Sequence, residues 1–375
     1  MSSKIKILHL AKWYPNANDE QNGIFIQQLI QNNSNFANQA VIYWGPGEEF
    51  HSSSALEQGI HAFRYYFPSG KRIQNASRKW ASIRKAIKET WNDEKPDLIH
   101  LHVADTDQLM LLEYAKSQRI PIVLSEHWSG YVDGRFEEKN PIAKSLIKHL
   151  VKGADYCTAV SEYLASGIRN VAGRKTVDVI PNAVNVISRK RTHSQHHTHF
   201  AMLCDLDDKV KNISGVISAF KNYYEENPAS TLSIIGGGKD EEKLIRLVEN
   251  LKLTEVVSFK GRHNHSESLD YLNESDTVII NSPRETFSVV SLEAIALGKK
   301  LICTRCGGPE GFLNDDLVRW TQPNDPSDLL NAMKESAEMP YPSDIQVIQQ
   351  IEPFLPEVVA SRWQEYYKGV LKSNR

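Results

Sequence analysis

Apolar positions fall into two alternating patterns along the chain. Short apolar or alternating runs at residues 4–11, 39–44, 97–103, 121–125, 154–161, 231–235, 277–280 and 300–304 predict strands, most of them closed by Gly, Pro, Asn or Ser. Residues 24–30, 70–89, 142–152, 213–224, 288–297 and 353–372 carry apolar residues at helical spacing, and residues 46–54 read as loop. Strands that alternate with helices predict parallel α/β sheets, whose ligands bind in the loops at the carboxyl ends of the strands.

The richest of these loops lies in residues 281–311, NSPRETFSVVSLEAIALGKKLICTRCGGPEG. A strand at 277–280 leads through it into a helix with Val289, Leu292 and Ala296 on one face, and Gly298 stops that helix. The first amides of a helix have no partner inside it and sit at the positive end of its dipole, so Phe287 to Val290 mark an anion site, and Thr286, Phe287, Ser288 and Val289 are its candidate ligand contacts. Glu285 and Glu293 flank it. A carboxylate would repel bound phosphate, so both are expected to meet ribose or sugar hydroxyls. The residues alone leave a second reading open, an ordinary crossover with Glu285 solvated and Glu293 serving the helix start.

Composition narrows the class. A length of 375 residues implies about two domains, and 41% hydrophobic with 24% charged residues fits a soluble globular chain. MSSKIKILHL reads as a first strand without a cleavage site, no stretch suits a membrane span, and four cysteines imply no disulfide framework, so a cytoplasmic location is expected. Residues 1–190 hold 24 Lys and Arg against 19 Asp and Glu, and the remainder holds 20 against 27. That asymmetry is too small to imply nucleic acid. It is concentrated in the helical stretches 70–89 and 142–152, the latter with Lys144, Lys148 and Lys152 at spacing four, which read as solvated faces or as a basic surface for an anionic membrane.

Other candidates sit at strand ends. Gly23 lies at the first strand-to-helix turn, His127 just past the strand at 121–125, and Lys211 with Asn212 at a helix start, where a lysine suits phosphate. Two DxD strings, at 105–107 and 205–207, and the Cys303/Cys306 pair are weak metal signals. His193, His196, His197 and His199 fall in a Ser-, Arg- and His-rich run expected to be a linker.

Glu285, seven intervening residues, Glu293, Ala294 and then Gly298 resemble the E-x7-E signature of family 4 glycosyltransferases. KWYPN with GIFIQQL, SEHWSGY, the IPNA segment at 180–183 and the triple glycine at 236–238 resemble further loops of that family. The resemblance implies a GT-B α/β fold with two Rossmann-like domains facing across a cleft: 1–188 on the acceptor side, 198–352 binding the donor, and 353–375 a helix crossing back to the first domain. It implies retaining transfer of a sugar from a UDP or GDP sugar to a glycan or lipid-linked acceptor, with no metal or other cofactor, in surface polysaccharide or glycan biosynthesis, and peripheral contact with the cytoplasmic membrane face. Lys211 and the amides at 287–289 would stabilise the leaving diphosphate, Glu285 would hold the donor sugar, Glu293 the ribose, and His127 would bond to the donor sugar. Gly23, Asn212, Gly237 and Arg262 complete the donor contacts. One departure stands out: the family's arginine before the lysine is replaced at Asp205 and Leu206, which leaves Lys209 as its candidate substitute, or a non-catalytic nucleotide-sugar-binding subunit as an alternative. A GT-B nucleotide-sugar epimerase is the other alternative.

Overall fold

The computed structural model describes residues 4–185 and 198–374. Most of the expected linker, with His193, His196 and His197, lies outside the described residues, whereas His199 opens a strand and accordingly belongs to a sheet. The chain forms two compact units, Met1–Ala183 with Pro356–Arg375, and Val184–Leu355.

The strands of the first unit are β1 (Ile5–Ala11), β2 (Ala37–Pro46), β3 (His51–Glu57), β4 (Ile60–Phe67), β5 (Leu98–His102), β6 (Ile122–Glu126), β7 (Tyr156–Ala159) and β8 (Asp178–Val179). They form one sheet in the order β3-β4-β2-β1-β5-β6-β7-β8. Every pair is parallel except β3 with β4. That hairpin corrects the loop expected at 46–54. Its first strand is polar and almost wholly exposed, so no apolar alternation announces it. The signal was the turn: Gln58 and Gly59 both have positive φ, 49° and 83°, as a two-residue hairpin turn requires.

The second unit contributes β9 (His199–Leu203), β10 (Thr231–Ile235), β11 (Val257–Gly261), β12 (Thr277–Ile280), β13 (Lys300–Thr304) and β14 (Val318–Thr321), ordered β11-β10-β9-β12-β13-β14 and all parallel. In each sheet the parallel strands bring their carboxyl ends, and the loops that follow them, to one edge.

The final helix, Pro356–Ser373, returns to the first unit. Val359, Trp363, Tyr367 and Val370 are buried in the same core as Ile26, Ile30 and Val41. Its polar atoms are also used: Tyr367 OH lies 2.8 Å from His100 Nδ1, and Tyr366 OH donates to Asp178 Oδ2 at 2.8 Å.

Candidate active site

At the carboxyl edge of the second sheet, the loops after β9 to β13 converge. Gly236, at φ 135°, follows β10 so closely that a Cβ there would lie 1.9 Å from the Cys204 carbonyl oxygen, and Leu206 N donates to Gly237 O at 3.2 Å. The loop after β12 is laced to the loop after β13: Glu285 N donates to Cys306 O at 3.0 Å and Gly308 N to Glu285 O at 2.9 Å. Only glycine fits at 308, because a Cβ would meet Thr286 O at 2.4 Å. These bonds fix where Glu285 projects.

Its carboxylate is the centre of a small network. Lys211 Nζ donates to Glu285 Oε1 at 2.5 Å, and Ser282 Oγ donates to the same oxygen at 2.7 Å. Burial opposes the Lys211 charge, but the Glu285 carboxylate outweighs it and raises the ammonium above its ordinary range. Lys211 is brought there by a short helix, Asp208–Lys211, that ends in Asn212 in the left-handed conformation at φ 49°. The Asn212 carbonyl accepts Asn281 Nδ2 at 3.0 Å, which ties this turn to the loop after β12.

Beyond Glu285 the helix Val289–Ala296 begins. Ser288 precedes it at φ 70° and ψ 79° and makes no side-chain cap bond, and its carbonyl accepts from Ser291 N at 3.3 Å. Phe287 is 3% exposed, its ring 4.6 Å from Phe312 and 5.8 Å from Phe354. The ring is therefore core, and only the backbone of Phe287 can serve a ligand. One turn into the helix, the buried Glu293 Oε1 accepts from His265 Nε2 at 2.6 Å. Since a carboxylate only accepts, the proton sits on Nε2.

Arg262 follows β11 and its Nη2 donates to Asp205 Oδ1 at 2.9 Å and to Gly237 O at 3.1 Å. The position where the resemblance led us to expect an arginine thus carries a carboxylate that holds one. Lys209 is exposed on the short helix before Asn212. The DxD strings are also engaged: Asp207 pairs with Lys239 at 2.7 Å, Asp105 with Lys12 at 2.5 Å and Asp107 with Lys79 at 2.5 Å. All four cysteines are free thiols.

In the first unit, Gly23 has φ 67° and its missing Cβ would lie 2.5 Å from the Trp13 carbonyl, so the turn into the helix Ile24–Asn32 requires glycine. Phe25 of that helix packs on His127, ring centroids 4.7 Å apart, which brings Gly23 and His127 to one corner of the sheet edge. Burial pushes His127 down to about 3, so its imidazole is neutral. His9, His100 and His102 form a buried cluster behind it: His9 Nδ1 lies 3.0 Å from His102 Nε2, and His100 Nε2 lies 2.7 Å from Ser125 Oγ. Burial holds His9 near 3 and the other two well below their usual range.

Sequence reasoning overlooked Glu126. It is fully buried, its Oε1 accepts from Ala104 N and from Tyr131 OH, each at 2.9 Å, and burial pushes its carboxyl up to about 7. The only signal was its place beside His127. His265 was missed as well, because it lies 28 residues before the glutamate it bonds.

Of the residues singled out in the sequence, Lys211, Asn212, Gly237, Arg262, Glu285, Thr286, Phe287, Ser288, Val289 and Glu293 thus gather at the edge of the second sheet, and Gly23 with His127 at the edge of the first. Cations, helix amides and carboxylates in the second unit match the needs of a diphosphate joined to hydroxyl-rich sugars.

Known proteins bear on this arrangement. The family model for glycosyl transferases group 1 matches residues 189–350, and that for Glycosyltransferase Family 4 matches residues 39–187. The N-acetyl-alpha-D-glucosaminyl L-malate synthase of Bacillus anthracis is 25% identical over 311 residues, which is 78% of this chain and 80% of that protein. Among solved structures, the sucrose-phosphate synthase of Thermosynechococcus elongatus superposes with a TM-score of 0.79 at 16% identity, covering 99% of this chain and 100% of the other. The Anabaena protein HepE, crystallised with UDP and glucose, gives 0.73 at 16% identity over 97% and 100%. With its two Rossmann-like units and two models that between them span most of its length, the chain belongs to the family 4 glycosyltransferases of the GT-B fold.

Proposed function

We propose that this glycosyltransferase moves a sugar, with retention and without a metal, from a nucleotide-diphosphate sugar to a glycan or lipid-linked acceptor in surface polysaccharide or glycan biosynthesis. The observation that carries this reading is the Lys211–Glu285 pair set directly before the helix Val289–Ala296. It sets a fixed cation and the amino end of a helix beside a carboxylate, as a departing diphosphate and a sugar hydroxyl would need.

In the proposed reaction the bond between the sugar C1 and the diphosphate oxygen breaks, and C1 bonds to the acceptor oxygen. The acceptor proton passes to the departing phosphate. Lys211 and the amides at 287–289 take up the charge on the diphosphate, which is the role a divalent cation would otherwise fill. Arg262 and the glycine loop at 236–238 flank it. Glu293, oriented by His265, accepts from the ribose hydroxyls, and Glu285 from those of the donor sugar. His127, neutral by burial, is assigned to the donor sugar by resemblance, and Gly23 to the same neighbourhood.

UDP sugars are the first donors to try, since HepE was crystallised with UDP-glucose, and GDP sugars the second. A cytoplasmic reaction at the membrane face, with the protein peripheral to the bilayer, completes the reading. Among the described residues no helix is long and apolar enough to cross a membrane.

The test is thermal stabilisation by UDP, GDP and ADP sugars, with and without EDTA, on the wild type and Glu293→Ala, followed by nucleotide release in turnover. Stabilisation by one nucleotide class, indifferent to EDTA and lost in the variant, is the expected result. Binding that requires a divalent metal would overturn the charge assignment to Lys211. Donor binding without turnover or hydrolysis would favour a non-catalytic subunit, and a changed sugar without transfer would favour an epimerase.

A further inference from the structure

Glu126 closes β6 and has no task in the reaction above, although it joins separate loops at the edge of the first sheet. Its Oε1 accepts from Ala104 N, in the loop after β5, and from Tyr131 OH, in the turn Ser129–Tyr131. His127 lies between these anchors in the chain, and Trp128 follows it with its ring 5.5 Å from that of Tyr131. The amide groups of Ala104, His127 and Trp128 and the Tyr131 hydroxyl favour the charged form of the carboxyl. Burial outweighs them and pushes it up to about 7. Oε2 is buried and makes no close hydrogen bond among the described residues, which marks it as the oxygen that takes the proton.

The bond from Ala104 holds a strained turn. Val103, the residue before it, is buried at φ 61°, a region that a β-branched side chain rarely enters. Such strain persists where neighbours over-determine the backbone. Val103 N donates to Ser125 O at 2.9 Å, Gln108 Nε2 to Val103 O at 3.0 Å, and Ala104 N to Glu126. Lys12 N donates to His102 O at 3.1 Å, so the loop after β1 is tied to the same strand end. Hydrogen bonds to an ionised acceptor are roughly twice as strong as bonds to a neutral one, so the protonation state of Glu126 sets how firmly these loops hold. The titratable groups that face it are displaced from the neutral range. Burial holds His127 near 3 and, with the neighbouring histidines, His102 well below its usual value. It also raises the Tyr131 hydroxyl well above its ordinary range and pushes the Cys157 thiol of β7 up to about 12. Burial opposes the charge of Asp105, but Lys12 outweighs it and holds that carboxyl below its usual range. Arg135 and Lys139 sit over the Trp128 ring, at 5.8 and 4.6 Å.

We propose that Glu126 is the positioning residue of the His127 loop. As a carboxylate it fastens the loops after β5 and β6 to each other, and when Oε2 takes up a proton the bonds from Ala104 and Tyr131 weaken and the His127 imidazole is held less firmly. Connecting that change to sugar transfer rests on the transferase reading above. The response of the loop itself does not.

The loop is read by fluorine NMR of the full chain labelled with 5-fluorotryptophan, the Trp128 resonance being assigned with Trp128→Phe. Turnover is read as kcat/KM for nucleotide release from the donor that the nucleotide-sugar panel selects, and both are followed between pH 5.5 and 8.5. In the wild type the Trp128 resonance should shift with a midpoint near 7. From pH 6 to pH 8 kcat/KM should rise at least threefold, toward the change of about tenfold in the ionised fraction of such a group. Glu126→Gln keeps a carbonyl acceptor and cannot ionise, so it should abolish both inflections and hold kcat/KM at its acid-side value. Tyr131→Phe removes one donor to the carboxylate and should move both midpoints up by about 0.5 in pH or more. Should melts show that Glu126→Gln does not fold, Tyr131→Phe carries the test alone. An inflection that survives Glu126→Gln, midpoints unmoved in Tyr131→Phe, or a Trp128 inflection beside a flat kcat/KM would overturn the proposal. Absence of turnover with every donor would count against the transferase reading, whereas the Trp128 titration reads the first unit and still decides whether Glu126 holds the loop.

Discussion

His265 Nε2 lies 2.6 Å from Glu293 Oε1, and the carboxylate it holds is buried in the first turns of the helix Val289–Ala296. A buried carboxylate held by a ring N–H is oriented before a ligand arrives, so one oxygen is committed to the imidazole and the other remains for a hydroxyl. Replacing His265 with alanine should weaken donor binding about 10- to 100-fold, the loss of one hydrogen bond to a charged group at about 1.5–3 kcal/mol. His265→Gln should recover part of it. Titration with UDP sugar measures both, and an unchanged affinity in His265→Ala would remove the imidazole from the site.

Lys211 is expected to matter most once charge has moved to the leaving group. Lys211→Met should lower kcat by about 10²–10³ with a smaller change in the donor KM, as for other preorganised donors to a developing anion. Glu285→Gln should act on the sugar instead, and show as discrimination among UDP sugars that share a base. A Lys211→Met effect confined to KM would move that residue out of the reacting neighbourhood.

Four neutral histidines should make the first unit acid-labile. His9 and His127 are held near 3, and His100 and His102 well below the usual value, by burial. The unfolded chain takes up these protons near 6.5, so below that pH the folded state binds fewer protons and loses about 1.4 kcal/mol per pH unit for each histidine. Glu126 works in the opposite direction. Its carboxyl, pushed up to about 7, keeps its proton in the fold while the unfolded carboxyl has lost it, so its contribution falls as pH rises from about 4.5 to 7. Denaturation melts between pH 5 and 7.5 should show a net loss toward acid, reduced in His9→Gln and steepened in Glu126→Gln. A flat profile would contradict the neutral cluster.

Two backbone positions in the donor loop should respond oppositely to a change in size. Ser288 sits at φ 70°, where a side chain is strained, and Ser288→Gly should gain about 0.5–1 kcal/mol in chemical denaturation. Gly308→Ala should distort the loop, because its Cβ would meet Thr286 O at 2.4 Å and Glu285 O at 2.7 Å, and donor binding should fall with stability. A tolerated Gly308→Ala would show that the loop can shift without cost.

The sequence announces what repeats locally and conceals what is assembled from afar. The strand at 277–280, the helix after Ser288 and the spacing of Glu285 from Glu293 were legible because period and turn chemistry lie within one short stretch. The partners of those glutamates were not, since Lys211 precedes Glu285 by 74 residues and His265 precedes Glu293 by 28. Arg262 was read as a donor contact, and its bond to Asp205 crosses 57 residues. The exposed strand β3 left no apolar trace because neither of its faces is buried. Glu126 drew no notice because burial, its defining property, has no signature in a single carboxylate.

The bond between His100 and Tyr367 spans 267 residues of sequence, and Trp363 beside it is 2% exposed. During synthesis, the first unit therefore emerges with an open groove in its core and must wait for the whole second unit to be made before the helix that fills it appears. The second unit, whose residues Val184–Leu355 are contiguous, has no such delay. Order of translation and order of completion are thus inverted: the half that is made first is finished last, and until then its core stands open to chaperones and proteases.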